Sequence, residues 1–278
     1  MTAKKTSQNA KQAPIGIFDS GIGGLTVADA ILKQMPAESI VYFGDTAHMP
    51  YGEKSADAIR GYAIRITDFL LENGCKAIVI ACNSASSVAY ETVKQHAAGR
   101  AVVLDVINPV VEKVSSLRSV HQVGVIGTRA TIRSNAYAQG IASKAPDKKV
   151  SSLATPLLAP MIEEGFFNNN ISRTIINNYL SRPKLKKIDA LILACTHYPL
   201  IRKEIGEFYK SEILIVDSAE IVAAKLHTIL KKEKLLADRK KAGVKRFFVS
   251  DLTNSFEKST RIFLKGKIKL ELRNLWKG

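Results

Sequence analysis

No run of 18 or more apolar residues occurs in the chain, so nothing in it reads as a membrane-spanning helix. The first 13 residues, MTAKKTSQNAKQA, carry three lysines and lack the apolar segment of a secretory signal, which makes them a disordered basic tail by expectation. Cysteine is scarce as well. Cys75, Cys82 and Cys195 form no CxxC pair and leave one thiol over, which argues against a disulfide framework and for a reducing, cytoplasmic setting. Nucleotide signatures are missing too: neither GxGxxG nor GxxxxGK[ST] can be drawn through Gly21, Gly23 and Gly24, and no lysine follows them.

Acidic residues are in deficit, 25 against 41 Lys and Arg, for a formal net charge of +16. That surplus sits at the ends of the chain. Beyond residue 224, 16 basic residues face 5 acidic ones, in runs such as Lys231, Lys232, Lys234 and Arg239, Lys240, Lys241, while the centre is nearly neutral. Such termini read as solvated surface, with nucleic-acid or other polyanion contact as the alternative. With 46% hydrophobic and 24% charged residues, the 278-residue chain is expected to make two soluble domains, each with its own core.

Two stretches organise the rest. Ile78 to Ser86 reads IVIACNSAS, and Leu191 to Pro199 reads LILACTHYP, so Cys82 and Cys195 each stand behind an apolar run and an alanine. A short apolar run followed by helix-starting residues reads as a buried parallel strand and its crossover helix, and ligands gather at such strand ends. A thiol there faces the next helix's amino end, which favours thiolate. A second echo links IGIFDSGIGGLTV near residue 16 to VGVIGTRATIRSNAY from Val123, with Gly127 and Thr128 in place of Asp19 and Ser20. Asp19 precedes Cys82 by 63 residues and Gly127 precedes Cys195 by 68, so we expect an internal duplication with the copies face to face.

The expected architecture is α/β: two similar domains with mainly parallel sheets related by pseudo-symmetry, and the active site at their interface. Residues 14–106 with 219–278 make the first domain and 107–218 the second. Strands are expected at Ile40 to Phe43, Ala101 to Leu104, Ile213 to Val216 and Lys245 to Ser250. Helices are expected at Ser55 to Glu72, Ser84 to Ala97, Leu157 to Gly165, Ile171 to Leu180, Ala219 to Lys232 and Asn254 to Leu264. Cys75 reads as packing, His48 as a surface loop residue, and His96, His121 and His227 as packing or surface. The pair Glu163 and Glu164 reads, on pattern alone, as a solvated helix end.

Two thiols facing one carbon across a cleft suit stereoinversion: one takes the α-proton of an amino acid, the other returns it to the opposite face, and the roles exchange in reverse. A zinc site from Cys82, Cys195 and His197 lacks the customary paired spacing. A cysteine hydrolase leaves the second matching cysteine unexplained. Pyridoxal phosphate chemistry lacks a suitably placed lysine.

DSGIGG at Asp19 to Gly24, PYG at Pro50 to Gly52, ACNSAS at Ala81 to Ser86, VIGTRATI at Val125 to Ile132 and ACTHYPL at Ala194 to Leu200 together resemble the glutamate racemases. The match runs in order from about Ile15 to Val216. It implies a cofactor-independent, metal-free enzyme that interconverts L- and D-glutamate and supplies D-glutamate for peptidoglycan. It also implies the aspartate/glutamate racemase fold. By motif, Cys82 acts on the proton of D-glutamate with help from Asp19, and Cys195 acts on that of L-glutamate with help from His197. Glu163, or its neighbour Glu164, also assists. Asp19, Ser20, Tyr51, Gly52, Asn83, Ser84, Thr196 and His197 line the substrate site, Ser84 standing where the family usually has Thr. Expected partners are glutamate and a second copy in a homodimer, with no membrane insertion. A racemase of aspartate or another amino acid is the enzyme alternative, and a polyanion-binding protein the non-enzyme one.

Overall fold

The structure is a computed structural model that describes residues 10–252, 260, 263 and 268–276. Its frame is two parallel sheets. The first takes β1 (Ile15–Asp19), β2 (Ile40–Gly44), β3 (Ala77–Ile80) and β4 (Val102–Asp105) early in the chain, then β9 (Lys245–Val249) and β10 (Leu270–Leu272) late, in the order β10-β9-β2-β1-β3-β4. The second takes β5 (Gln122–Gly127), β6 (Lys149–Ala154), β7 (Ala190–Ala194) and β8 (Leu214–Val216), in the order β6-β5-β7-β8. Each sheet therefore contains the same four-strand arrangement, and every strand pair in both is parallel.

Register carries the duplication down to single residues. Phe18 pairs with Ile80, two positions before Cys82, and Ile126 pairs with Leu193, two positions before Cys195. The two thiols thus leave their sheets at equivalent points, beside the place where the order turns from β1 to β3 and from β5 to β7. Crevices at strand carboxyl ends open at such turning points.

The central strands β1, β2 and β3 are buried along their whole length because both faces of the sheet are covered there. Ile15, Ile17, Tyr42 and Val79 face one core cluster, while their neighbours Phe18, Phe43 and Ile80 face another. Helices α1 (Leu25–Gln34) and α10 (Ala219–Lys232) pack together, as do α2 (Ala56–Glu72) and α3 (Asn83–His96). Ser55 caps α2 through its hydroxyl, which accepts from the Ala58 N–H at 3.2 Å. At the end of β4, Asp105 accepts from the Ile107 and Asn108 N–H groups and turns the chain into α4 (Asn108–Ser116) and the second sheet.

Helices α5 (Arg129–Ser134), α6 (Ala136–Lys144), α7 (Leu158–Glu163), α8 (Asn170–Leu180) and α9 (Arg202–Phe208) complete the second half. Strands β6 and β10 were not expected from the pattern. Both are edge strands, β6 partly exposed and interrupted by Ser151 and Ser152, so neither shows the apolar run that marks a buried strand. The helix expected at Asn254 to Leu264 lies largely outside the described residues.

Of the residues expected as a tail, the structure describes 10–13. Lys11 and Gln12 are tied to the body: the Lys76 ammonium donates to the Lys11 carbonyl, the Leu235 carbonyl and Glu38, and Arg239 donates to the Gln12 carbonyl. Among the described residues, no helix is long and apolar enough to cross a membrane.

Candidate active site

Local chain chemistry builds the site from both sheets. After β1, Asp19 turns into the glycine loop, its Oδ2 accepting from the Gly21 N–H at 3.0 Å. That loop touches the second half. A Cβ placed on Gly23 would stand 2.4 Å from Thr196 Oγ1 and 2.6 Å from His197 Nδ1, so only glycine lets the backbone lie this close. After β3, Cys82 is the N-cap of α3, and its Sγ accepts from the Ala85 N–H at 3.5 Å and lies 3.7 Å from Ser20 Oγ. After β7, Cys195 Sγ stands 3.6 Å from His197 Nδ1, and the chain enters a 3-10 turn at Tyr198–Ile201 with Pro199 in its first turn.

A cavity of about 40 Å³ joins these elements. Ser20, Tyr51, Gly52, Cys82, Asn83 and Ser84 line it from the first half, with Glu163, Cys195, Thr196 and His197 from the second. Every residue expected at the site is in that wall except Asp19, which is buried one layer back, close enough to Cys82 for its charge to oppose thiolate formation. Glu163 overturns the expectation of a solvated pair: its Oε1 lies 2.8 Å from His197 Nε2, whereas Glu164 is exposed at the helix end. The contact is an ion pair by distance, while Nε2 has no partner in hydrogen-bond geometry.

The halves are stitched around the cavity. Ser84 and Thr128 hydroxyls meet at 2.8 Å, Tyr137 donates to Asn83 Oδ1 at 2.7 Å, and Arg129 pairs with Glu53 at 2.8 Å. Thr128, Tyr137 and Asp45 are functional neighbours that the sequence reading did not single out. Thr128 was legible as the counterpart of Ser20. Nothing in the local sequence marks Tyr137, because its partner is 54 residues away. Asp45 is buried behind Tyr51, whose hydroxyl donates to it at 2.6 Å. His48, expected at the surface, is half-buried, 3.0 Å from Asp45 and stacked on Tyr62.

Electrostatics differ between the two thiols' surroundings. Burial, then the Asp19 charge, pushes the Cys82 thiol up to about 12 against the helix N–H that favours thiolate. Burial dominates at this thiol. Around Cys195 the balance reverses: burial opposes protonation of His197, but the close contacts with Cys195 and the Glu163 carboxylate outweigh it and raise the imidazole to about 10. The His197 proton is therefore held more tightly than a free imidazole's. Asp19 is raised as well, by burial, with its Oδ1 unpartnered, as is Asn83 Nδ2. With His197 Nε2 these make three orphaned buried polar atoms in or just behind the wall of one small cavity, which is what a polar ligand satisfies. Among the described residues no group of three His, Cys, Asp or Glu side chains is placed to hold a metal ion.

The model of the Asp/Glu/Hydantoin racemase family matches residues 15–226. The chain belongs to that family. Its similarity to particular members is extensive: 41% identity over 254 residues to the glutamate racemase of Geobacter metallireducens, covering 91% of this chain and 93% of that one. The crystal structure of Francisella tularensis glutamate racemase in complex with D-glutamate superposes with a TM-score of 0.90 at 40% identity, covering 96% of this chain and 99% of the other. An aspartate racemase of Picrophilus torridus, 19% identical with a TM-score of 0.56, covering 80% of this chain and 94% of that one, shares the fold alone. The two-sheet α/β architecture expected from the sequence is thus that of the family.

Proposed function

We propose that this family member interconverts L- and D-glutamate by passing the α-proton between Cys82 and Cys195 without a cofactor. The observation that carries the reading is the equivalent placement of the two thiols, each two residues beyond a matched register position, in the wall of one cavity built by both halves. Residues 14–106 with 219–278 and residues 107–218 then act as two domains closing on the substrate.

In the resting enzyme Cys82 keeps its proton, and Cys195, 3.6 Å from His197 Nδ1, is set as the base. That state is ready for L-glutamate: Cys195 takes the α-proton and Cys82 delivers its own to the opposite face, which yields D-glutamate. The thiolate left at Cys82 is a strong base because it is desolvated, which narrows its gap to a weakly acidic C–H bond. From that state D-glutamate is deprotonated in turn. Glu163 positions His197, Asp19 acts on Cys82 from behind the wall, and Asn83 Nδ2 awaits a polar group of the substrate. Ser20, Tyr51, Gly52, Ser84 and Thr196 complete its binding surface. D-Glutamate made in the cytoplasm in this way supplies peptidoglycan synthesis.

Substrate identity is tested by following optical rotation with L-glutamate, L-aspartate and L-alanine at equal concentration. The reading requires glutamate to racemise fastest by at least about a hundredfold, the scale set by polar groups left unpaired when a ligand group is missing or misplaced. Faster aspartate racemisation refutes it.

A further inference from the structure

The chain has a single tryptophan, Trp276, and it lies against the loop that forms one wall of the cavity. Beyond β10 the chain runs back over the first sheet, where the Arg273 N–H donates to the Val249 carbonyl and Arg65 donates to the Leu275 carbonyl. The indole then meets the Asp45 loop. Its Nε1–H donates to Asp45 Oδ1 at 3.0 Å, and its ring packs edge-on against His48 at 4.5 Å and Tyr62 at 5.4 Å.

Asp45 is the hub of that loop. Its carboxylate is fully buried and accepts from Ser250 Oγ at 2.7 Å, from Tyr51 Oη at 2.6 Å and from Trp276, with His48 Nδ1 at 3.0 Å. A buried carboxylate needs its lone pairs filled, and each charge-assisted donor fixes its orientation. Tyr51 and Gly52, held by this hub, face the cavity. A Cβ on Gly52 would stand 2.8 Å from Thr128 Cβ, so a small shift of the loop is felt across the interface.

We propose that Trp276 is a positioning residue for substrate binding: through Asp45 it sets the Tyr51–Gly52 wall, so the last residues of the chain tune affinity at a site they do not touch. This rests on the reading that the cavity takes glutamate. The cysteines stand on other elements, so loosening the loop weakens binding without altering the proton-transfer groups.

The test replaces Trp276 by Phe, which keeps a ring but loses the donor, and by benzothienylalanine, which keeps the indole shape and removes only the N–H. KM should rise about three- to tenfold for both glutamate enantiomers with kcat within about twofold, the range expected for one hydrogen bond to a charged group in a hub that keeps other donors. Pairing Trp276→Phe with Asp45→Asn should raise KM little beyond the larger single effect. Unchanged KM in both Trp276 replacements, or a fall in kcat alone, overturns the proposal. Hydrogen exchange separates this outcome from failure of the function itself. Amides of residues 45–53 should exchange faster in Trp276→Phe than in the parent protein, with or without glutamate, and equal protection refutes the positioning role even if the natural substrate is another amino acid.

Discussion

Replacing Gly23 by alanine puts the interlocked glycine loop to a quantitative test. The added Cβ would lie 2.4 Å from Thr196 Oγ1, 2.5 Å from His197 Cε1 and 2.6 Å from His197 Nδ1. Ordinary contact begins near 3.4 Å, so Thr196 and His197 must retreat by about 1 Å or the loop must back away from them by as much. Both belong to the cavity wall and are nearly fully buried. Overpacking of this kind costs about 1–3 kcal/mol. For a chain of this size, that lowers Tm by roughly 2–12 °C. Activity should suffer more, because a displacement of about 1 Å at a reacting centre costs on the order of a hundredfold.

Gly61→Ala is the matched control. Gly61 is exposed within α2 and an added Cβ meets nothing within 4 Å, so the same substitution should raise stability by up to about 1 kcal/mol and leave turnover unchanged. The assays are calorimetric unfolding and racemisation by circular dichroism on the two variants side by side. Gly23→Ala with parental Tm and kcat/KM would refute the reasoning that the halves interlock at this loop.

Three further outcomes follow from particular contacts. Lys76 and Glu38 form a buried pair at 2.6 Å that also anchors Lys11 and Leu235, so Lys76→Met should cost about 3–5 kcal/mol in urea unfolding by leaving Glu38 buried without its counter-charge; a loss below about 1 kcal/mol contradicts this. His197 is raised from 6.5 to about 10, so its contribution to stability is complete below about pH 6.5 and is lost as pH climbs toward 10. His197→Asn should therefore flatten the decline in unfolding free energy between pH 6.5 and 9, whereas the steeper decline above 9, as unfolding releases the Cys75 and Cys82 protons, each held to about 12, should persist. Ser84→Thr should keep racemisation within about threefold, because the hydroxyl that meets Thr128 survives, and abolition of activity shows that the pocket has no room for the methyl.

Much of the fold was legible because it rests on continuous apolar strands and well-signalled helices. Helix α10 begins and ends where its periodicity placed it, and Ser55 caps α2 as a serine before an amphipathic run should. Strands β6 and β10 escaped because edge strands need no apolar run. The cysteines were legible through repetition: no single residue of IVIACNSAS is diagnostic, but its echo at LILACTHYP halves the freedom of interpretation. Glu163 was obscured by Glu164, since adjacent acids at a helix end look alike until the helix's rotation is known. Tyr137 and Trp276 owe their roles to partners 54 and 231 residues away, a separation that no local pattern records, and Asp45 becomes a hub only when Ser250 and Trp276 join its local partners.

The central claim, two thiols exchanging one α-proton, is tested most directly by single-turnover-scale proton exchange in deuterated water with each glutamate enantiomer, using the parent enzyme, Cys82→Ser and Cys195→Ser. The parent should racemise both enantiomers with deuterium entering at the α-carbon. Each serine variant should lose racemisation by about a hundredfold or more, the scale of a positioned acid or base. Racemisation at the parental rate in either variant would contradict the account, because the proton would then be moving through a group other than that cysteine.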